Sequence, residues 1–188
     1  MTRGILNLSH NSFTMETETI ILVDKGDKEI GYEEKMKAHE NGGKLHRAFS
    51  IFVFDSKGRM LLQKRAEGKY HCSGLWTNTC CSHPNKGETL DAAVHRKLEQ
   101  EFGFDCPLNE VFSFIYKAGF DNGLTEYEFD HVFVGRYDGK TAPNPEEIGD
   151  WKFVSVDELR KDLEKHPEKY TPWFKESFER VVKAIEDR

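Results

Sequence analysis

Ala48 to Phe54 is an apolar run broken only by Ser50, and it predicts a buried strand. Asp55-Ser56-Lys57-Gly58 is turn material, and Met60 to Lys64 resumes the apolar pattern, so the two runs form a hairpin. Upstream, the β-branched stretch Thr19 to Val23 predicts a short strand that ends at Asp24-Lys25-Gly26-Asp27. Downstream, strands are expected over Val111 to Lys117, Thr125 to Tyr137 and Trp151 to Val156. The stretch Asp138 to Asp150, with Pro143 and Pro145, forms a loop between the last two.

Helical spacing marks the rest. Leu90, Ala93, Val94, Leu98 and Phe102 make an apolar stripe, with Thr89 as N-cap and Gly103 as the stop. Glu101 departs from that pattern, because a carboxylate in the last turn opposes the helix dipole. Lys35 to Glu40 predicts a shorter helix ending at Asn41-Gly42-Gly43, and Asp157 to Leu163 another, halted before Pro167. A final helix starts near Pro172 and buries Phe174, Phe178, Val181, Val182 and Ile185. Strands and helices interleave without a regular βαβ repeat. The class is therefore mixed α/β (α+β), with β-sheets sandwiched between helices.

There is no internal repeat or Pro/Ser-rich linker in the 188 residues. One domain over residues 15–188 is expected, preceded by a loosely held tail over 1–14. Hydrophobic residues at 37% and charged residues at 32% fit a soluble globular chain. A net charge of -6 argues against nucleic acid as a partner, since phosphate backbones need a basic surface. No apolar run is long enough to span a bilayer, and Met1 to Phe13 is not a secretory signal. Neighbouring Cys80 and Cys81 are poorly placed to bridge, and with Cys72 and Cys106 they do not form a C-x-x-C zinc pattern. Four free thiols point to a cytoplasmic location.

The stretch Thr77 to Pro84 carries the most chemistry: Cys81 and His83 share one face if the backbone is extended. Glu126 and Glu128 likewise share a face, opposite Tyr127 and Phe129; by pattern alone this is the polar outer side of an amphipathic strand. His39 and His46 flank Gly42-Gly43, a loop able to bring both imidazoles together, although each taken singly reads as a surface histidine. Three histidines and two carboxylates amount to a five-ligand N/O set suited to Zn²⁺, Mn²⁺ or Fe²⁺. Lys35, Arg65, Lys69, Arg96 and Lys97 stand near the same motifs, as a small phosphorylated ligand would require. Trp76 and Trp173 serve as core aromatics or as walls over a cation.

The ordered motifs Lys35-Met36-Lys37-Ala38-His39, His46-Arg47-Ala48-Phe49-Ser50, Gly74 to Thr79, Cys81-Ser82-His83-Pro84 and Glu126-Tyr127-Glu128 resemble the type 1 isopentenyl-diphosphate delta-isomerases of the Nudix superfamily. The resemblance runs from about Thr19 to the final helix and implies a Nudix-like fold. In the frame of the Nudix box fall Ser82, Glu88, Arg96, Leu98, Glu101 and Gly103, with Ser82 in place of Gly and Lys97 and Gln100 in place of two Glu. Those departures argue against hydrolysis. The resemblance further implies Cys81 and Glu128 as proton-transfer residues with Tyr116 hydrogen-bonded nearby. It assigns Lys35, Arg65, Lys69 and Lys97 to a diphosphate, and Trp173 as a cover over hydrocarbon. It places one Mn²⁺ or Zn²⁺ at His39, His46, His83, Glu126 and Glu128. Mg²⁺ would sit at Glu101 and the Cys81 carbonyl with the substrate. Isomerisation of a small prenyl diphosphate by a monomer, with no nucleic acid or membrane partner, is the expected function.

Overall fold

A computed structural model of the chain describes residues 18–187. The tail expected over 1–14 lies outside the described residues.

The buried run forms β3 (His46–Phe54), and its composition follows from burial on both faces. β3 pairs in parallel with β8 (Thr125–Arg136), from His46 opposite Glu128 to Phe54 opposite Arg136. It also meets β1 (Thr19–Val23), β4 (Met60–Arg65) and the short β6 (Cys80–Ser82), all antiparallel. Phe49, Ile51 and Val53 face α2 (Leu90–Phe102), where Val94, Leu98 and Phe102 complete one core. Phe52 and Phe54 face the other way, onto Phe174, Phe178, Val181 and Val182 of α4 (Pro172–Glu186) and Leu159 of α3 (Val156–Lys165). The sheet is thus sandwiched between helices, as the interleaved pattern predicts.

Helix ends follow local chemistry. The Thr89 hydroxyl accepts from the Ala92 N–H, and Gly103 stops α2 in the left-handed region at φ 68°. Ser155 and Glu158 form a reciprocal capping box, so α3 opens at Val156 rather than at Asp157. That cap also ends β9 at Val154, while its start at Ile148 lies inside the expected loop, because residues 148–154 pair along β4. β2 (Glu29–Glu34) was not expected, since three glutamates and a glycine in six residues hide the strand pattern; it is recruited by backbone pairing with β1. β7 (Leu108–Gly119) extends beyond Val111 to Lys117 at both ends, in register with β8. Trp76 and Thr77 form the two-residue β5 against β4. The short α1 (Lys35–His39) is capped by the Glu34 carboxylate and ends one residue before Glu40.

Candidate active site

A cleft with about 620 Å³ of free space, part of it open to solvent, gathers residues from nine separate stretches of chain. Lining it are Cys81, Tyr116, Glu126, Glu128, His83 and Trp173, together with Lys35, Arg65, Lys69, Lys97 and Glu101. His39 and His46 lie behind the carboxylates, fully buried.

The β3–β8 register explains the metal-type cluster. His46 begins β3 directly opposite Glu128, and Glu126 lies two residues earlier on the same face of β8. The turn after α1 brings His39 to His46, their ring centres 4.8 Å apart. Just past the end of β6, His83 comes within 4.9 Å of His46, ring centre to ring centre. Five potential donor atoms, one from each of His39, His46, His83, Glu126 and Glu128, lie within 4.8 Å of one another. The expectation that Glu126 and Glu128 form a polar outer face is therefore reversed. Both are buried, and the half-buried Tyr127 and Phe129 occupy the opposite side. A two-residue period assigns residues to faces but not a face to the interior.

The donor set fits a cation on this chain's own hydrogen bonds. His39 Nδ1 lies 2.6 Å from the Lys35 carbonyl, and His46 Nδ1 lies 2.8 Å from the Lys44 carbonyl. A carbonyl only accepts, so both Nδ1 atoms carry the proton, and in the neutral rings the Nε2 lone pairs point inward. There His39 Nε2 meets Glu126 Oε2 at 2.8 Å, and His46 Nε2 meets His83 Nε2 at 3.2 Å. Lone pairs and carboxylates converging in a dry site need positive charge among them. Burial opposes charge on His39, but the Glu126 carboxylate outweighs it and raises the ring's pKa. The Glu126 carboxyl is held well below the usual range: burial would raise it, and the hydrogen bond with His39 and the close approach of His71 prevail. Glu128 is held down in the same way by His46 and His83, against burial and Glu126. Asp130, further along β8, is pushed well up by burial and by Glu128, and its Oδ2 meets the Ser50 hydroxyl at 2.8 Å.

Cys81 shares the cleft with Glu128, and burial pushes its thiol up to about 12, Arg65 pulling the other way and Glu101 and Glu128 adding to the rise. It is a neutral thiol near pH 7. Cys80 packs against α2 on the opposite side of the sheet, as β-strand alternation requires. Tyr116 donates from its hydroxyl to Glu128 Oε2, and burial first, then Glu128, keeps that phenol protonated. Trp173 donates from Nε1 to the Thr77 hydroxyl at 2.9 Å, which fixes the plane of its indole. The Arg65 guanidinium lies 5.4 Å from the centre of that ring.

Three of the cations carry acidic partners, and two of these, Glu18 and Glu147, the sequence reading did not single out. Lys35 pairs with Glu18 at 2.9 Å, Lys69 with Glu147, and Lys97 with Glu101 at 3.0 Å. Burial opposes the charge on Lys97, but Glu101 and Glu147 outweigh it and raise its pKa. The other oxygen of Glu101 accepts from Gln63 Nε2 at 3.0 Å, which accounts for a carboxylate in the last turn of α2. Two expected members are absent from the lining. Arg96 is turned to Glu88 in a two-pronged pair of 2.6 and 2.7 Å, and Trp76 lies beneath Lys152, 4.2 Å from the ring centre.

Residues 44–174 match the NUDIX domain family. The chain is 56% identical over 158 residues to "Isopentenyl-diphosphate Delta-isomerase 2" of Photorhabdus laumondii, covering 84% of this chain and 89% of that protein. It is 51% identical over 165 residues to the protein of the same name from Aromatoleum aromaticum, covering 88% and 87%. The chain belongs to the isopentenyl-diphosphate Delta-isomerase family.

Among solved structures, DR0079 of Deinococcus radiodurans superposes with a TM-score of 0.72 at 18% identity, over 87% of this chain and 98% of that one, and this likeness concerns the fold. In this isomerase-family chain the box departures have distinct structural outcomes. Lys97 puts a cation into the cleft where the box has Glu, whereas Gln100 is exposed and accepts from Arg96 at 3.2 Å. Sequence reasoning also missed Tyr70 and His71, which line the cleft beside Lys69 without a motif that marks them. Among the described residues no helix is long and apolar enough to cross a membrane.

Gly43 decides how closely α1 approaches β8. Its φ is 74°, and a Cβ there would sit 2.8 Å from the Thr125 carbonyl oxygen. Gly42 has φ 87° but nothing within 4 Å. Gly43→Ala is therefore expected to destabilise the protein by about 1–3 kcal/mol and to weaken metal binding by shifting Glu126. Gly42→Ala should cost about 1 kcal/mol and leave metal affinity intact. Urea denaturation and metal titration of both variants check this.

Proposed function

We propose that the protein interconverts isopentenyl diphosphate and dimethylallyl diphosphate by protonating the alkene and removing an allylic proton. The observation that carries this reading is a neutral thiol, Cys81, and a buried carboxylate, Glu128, lining one cleft that also presents four cations. A proton added to the terminal alkene carbon forms a methyl group and leaves the tertiary carbon positive. Loss of a proton from the neighbouring carbon gives the new double bond, with no net oxidation. Cys81 and Glu128 are the groups assigned to these transfers, and they exchange acid and base roles with the direction of reaction. Tyr116 holds one oxygen of Glu128 and so sets where the other points. Carboxylate charge and the Trp173 ring stabilise the cationic carbon, and the buried aromatic surroundings keep water from trapping it.

Lys35, Arg65, Lys69 and Lys97 bind the diphosphate on this reading. Substrate phosphates take over from Glu18 and Glu147 as partners of Lys35 and Lys69. Glu101 and the Cys81 carbonyl would hold Mg²⁺ with the diphosphate, and the ion would supply positive charge against the phosphates. His39, His46, His83, Glu126 and Glu128 hold Mn²⁺ or Zn²⁺, for which mixed imidazole and carboxylate donors are suited. When bound, that ion supplies fixed positive charge that orients Glu128 and lowers its proton affinity. All of these groups come from one chain, which supports a monomer as the working unit. Four free thiols, Cys81 among them, suit the reducing cytoplasm.

Incubation with isopentenyl diphosphate and Mg²⁺ should yield dimethylallyl diphosphate, detected by acid lability or chromatography. Glu128→Gln is expected to lower the rate by about 10²–10⁴-fold or more with unchanged far-UV circular dichroism. Release of inorganic phosphate or diphosphate in place of the isomer would reject isomerisation in favour of hydrolysis.

A further inference from the structure

His71 is a buried imidazole in the cleft that none of the assignments above uses. We propose that His71 is a positioning residue for Glu126, and through that carboxylate for the ion held by the five-residue cluster. The inference rests on the isomerase reading of that cluster.

The two carboxylates are gripped alike. Glu128 turns Oε1 inward, 3.0 Å from His83 Nε2 and 3.6 Å from His46 Nε2, and gives Oε2 to the Tyr116 hydroxyl. Glu126 turns Oε2 inward, 2.8 Å from His39 Nε2 and 3.9 Å from His46 Nε2, and gives Oε1 to His71 Nε2. His71 thus stands to Glu126 as Tyr116 stands to Glu128. It is not one of the five converging donors, because its nitrogen meets the carboxylate oxygen that faces away from them. The contact is close but lies off the ring's N–H axis, so neither Nε2 nor Nδ1 makes an aligned hydrogen bond among the described residues. Among the described residues, Glu126 is the one carboxylate that meets this ring.

Packing fixes the ring. His71 stacks on Phe120 at 4.6 Å and 11° between planes, with Tyr70 edge-on at 4.4 Å and Trp173 at 5.9 Å. A phenylalanine would satisfy that stack equally well, and would take away the ring nitrogen that meets Glu126 Oε1. The His71 carbonyl also accepts from Arg65 Nη2 at 3.2 Å, so one residue braces both the carboxylate and a cation of the cleft. Outer partners of this kind orient metal-binding side chains, and their loss typically weakens metal affinity by about 10–100-fold.

The test is Zn²⁺ affinity of the metal-free protein, read by competition with a chromophoric chelator, for wild type, H71F, H71Q and H39A. H71F keeps the ring stack and removes the nitrogen that meets Glu126, whereas H71Q places an amide N–H where Nε2 stood. The expected result is a 10–100-fold loss of affinity in H71F, recovery to within a few-fold of wild type in H71Q, and metal-free thermal midpoints close to wild type in both. H71F binding Zn²⁺ within twofold of wild type overturns the proposal, as does equal loss in H71F and H71Q. A lowered thermal midpoint with unchanged affinity also overturns it, because it reduces His71 to a packing residue. If H39A binds Zn²⁺ as tightly as wild type, the cluster is not the metal site, and both the reading of the cluster and the role of His71 fall.

Discussion

Cys81→Ala should lower isomerisation by about 10²–10⁴-fold or more, while Cys80→Ala leaves the turnover number close to wild type. The two thiols are adjacent in sequence and opposite in space. Cys81 lines the cleft with Glu128, and Cys80 is fully buried against α2 with Phe49, Leu98 and Phe102. Removing Cys80 takes a sulfur from a packed core, so its effect appears in stability rather than in catalysis. Removing Cys81 takes the neutral thiol from the cleft and leaves Glu128, Tyr116 and the cation set in place. Steady-state rates with isopentenyl diphosphate, set beside urea denaturation of the same variants, separate the two effects. A Cys81→Ala enzyme with near-normal turnover would remove the thiol from the reaction, and a Cys80→Ala enzyme equally dead would show that strand alternation had been misread.

Chelation of the tightly held ion should abolish activity and lower the thermal midpoint, and addition of Mn²⁺ or Zn²⁺ should restore both. Five donors within 4.8 Å, three of them imidazole nitrogens and two carboxylates, repel one another without a cation. An ion present at a thousandfold over its dissociation constant stabilises the native state by about 4 kcal/mol, which is the loss expected on its removal. The chain should nevertheless stay folded without metal, because two extensive cores on the faces of the sheet do not depend on the cluster. Calorimetry of metal-free protein, with activity measured before and after metal addition, distinguishes this from a purely structural ion. Global unfolding on chelation would point to the structural role. Mg²⁺ added alone to the chelated protein is not expected to restore activity, since the buried nitrogen-rich site suits a different ion from the one carried with diphosphate.

Much of the fold is legible in local pattern. The run Ala48 to Phe54, the helix from Thr89 to Gly103 and the final helix after Pro172 each carry the periodicity, caps and breakers of the element they form. The misses are local too. β2 is dominated by glutamates and held by pairing, and Ser155 with Glu158 moved the β9–α3 boundary by a residue or two. Side-chain period reports which residues share a face, and it is weak where backbone pairing alone recruits a strand.

The site divides along another line. Residue types and order were sufficient to nominate His39, His46, His83, Glu126, Glu128 and Cys81, with the departures at Lys97 and Gln100 that set the chain apart from a hydrolase box. Whether Glu126 and Glu128 looked into solvent or into a metal-type cluster was beyond the reach of the pattern, because alternation is symmetric between the two faces. That choice was made by the parallel pairing of β3 with β8, which put His46 opposite Glu128, and by the tight approach of Gly43 to Thr125. Tertiary structure likewise drew in Glu18, Glu147 and His71 and sent Arg96 to Glu88. Lys69 and Glu147 are 78 positions apart, and even the eight from Glu88 to Arg96 span a loop into a helix, so no local period constrains which side chain fills a partner's last hydrogen bond.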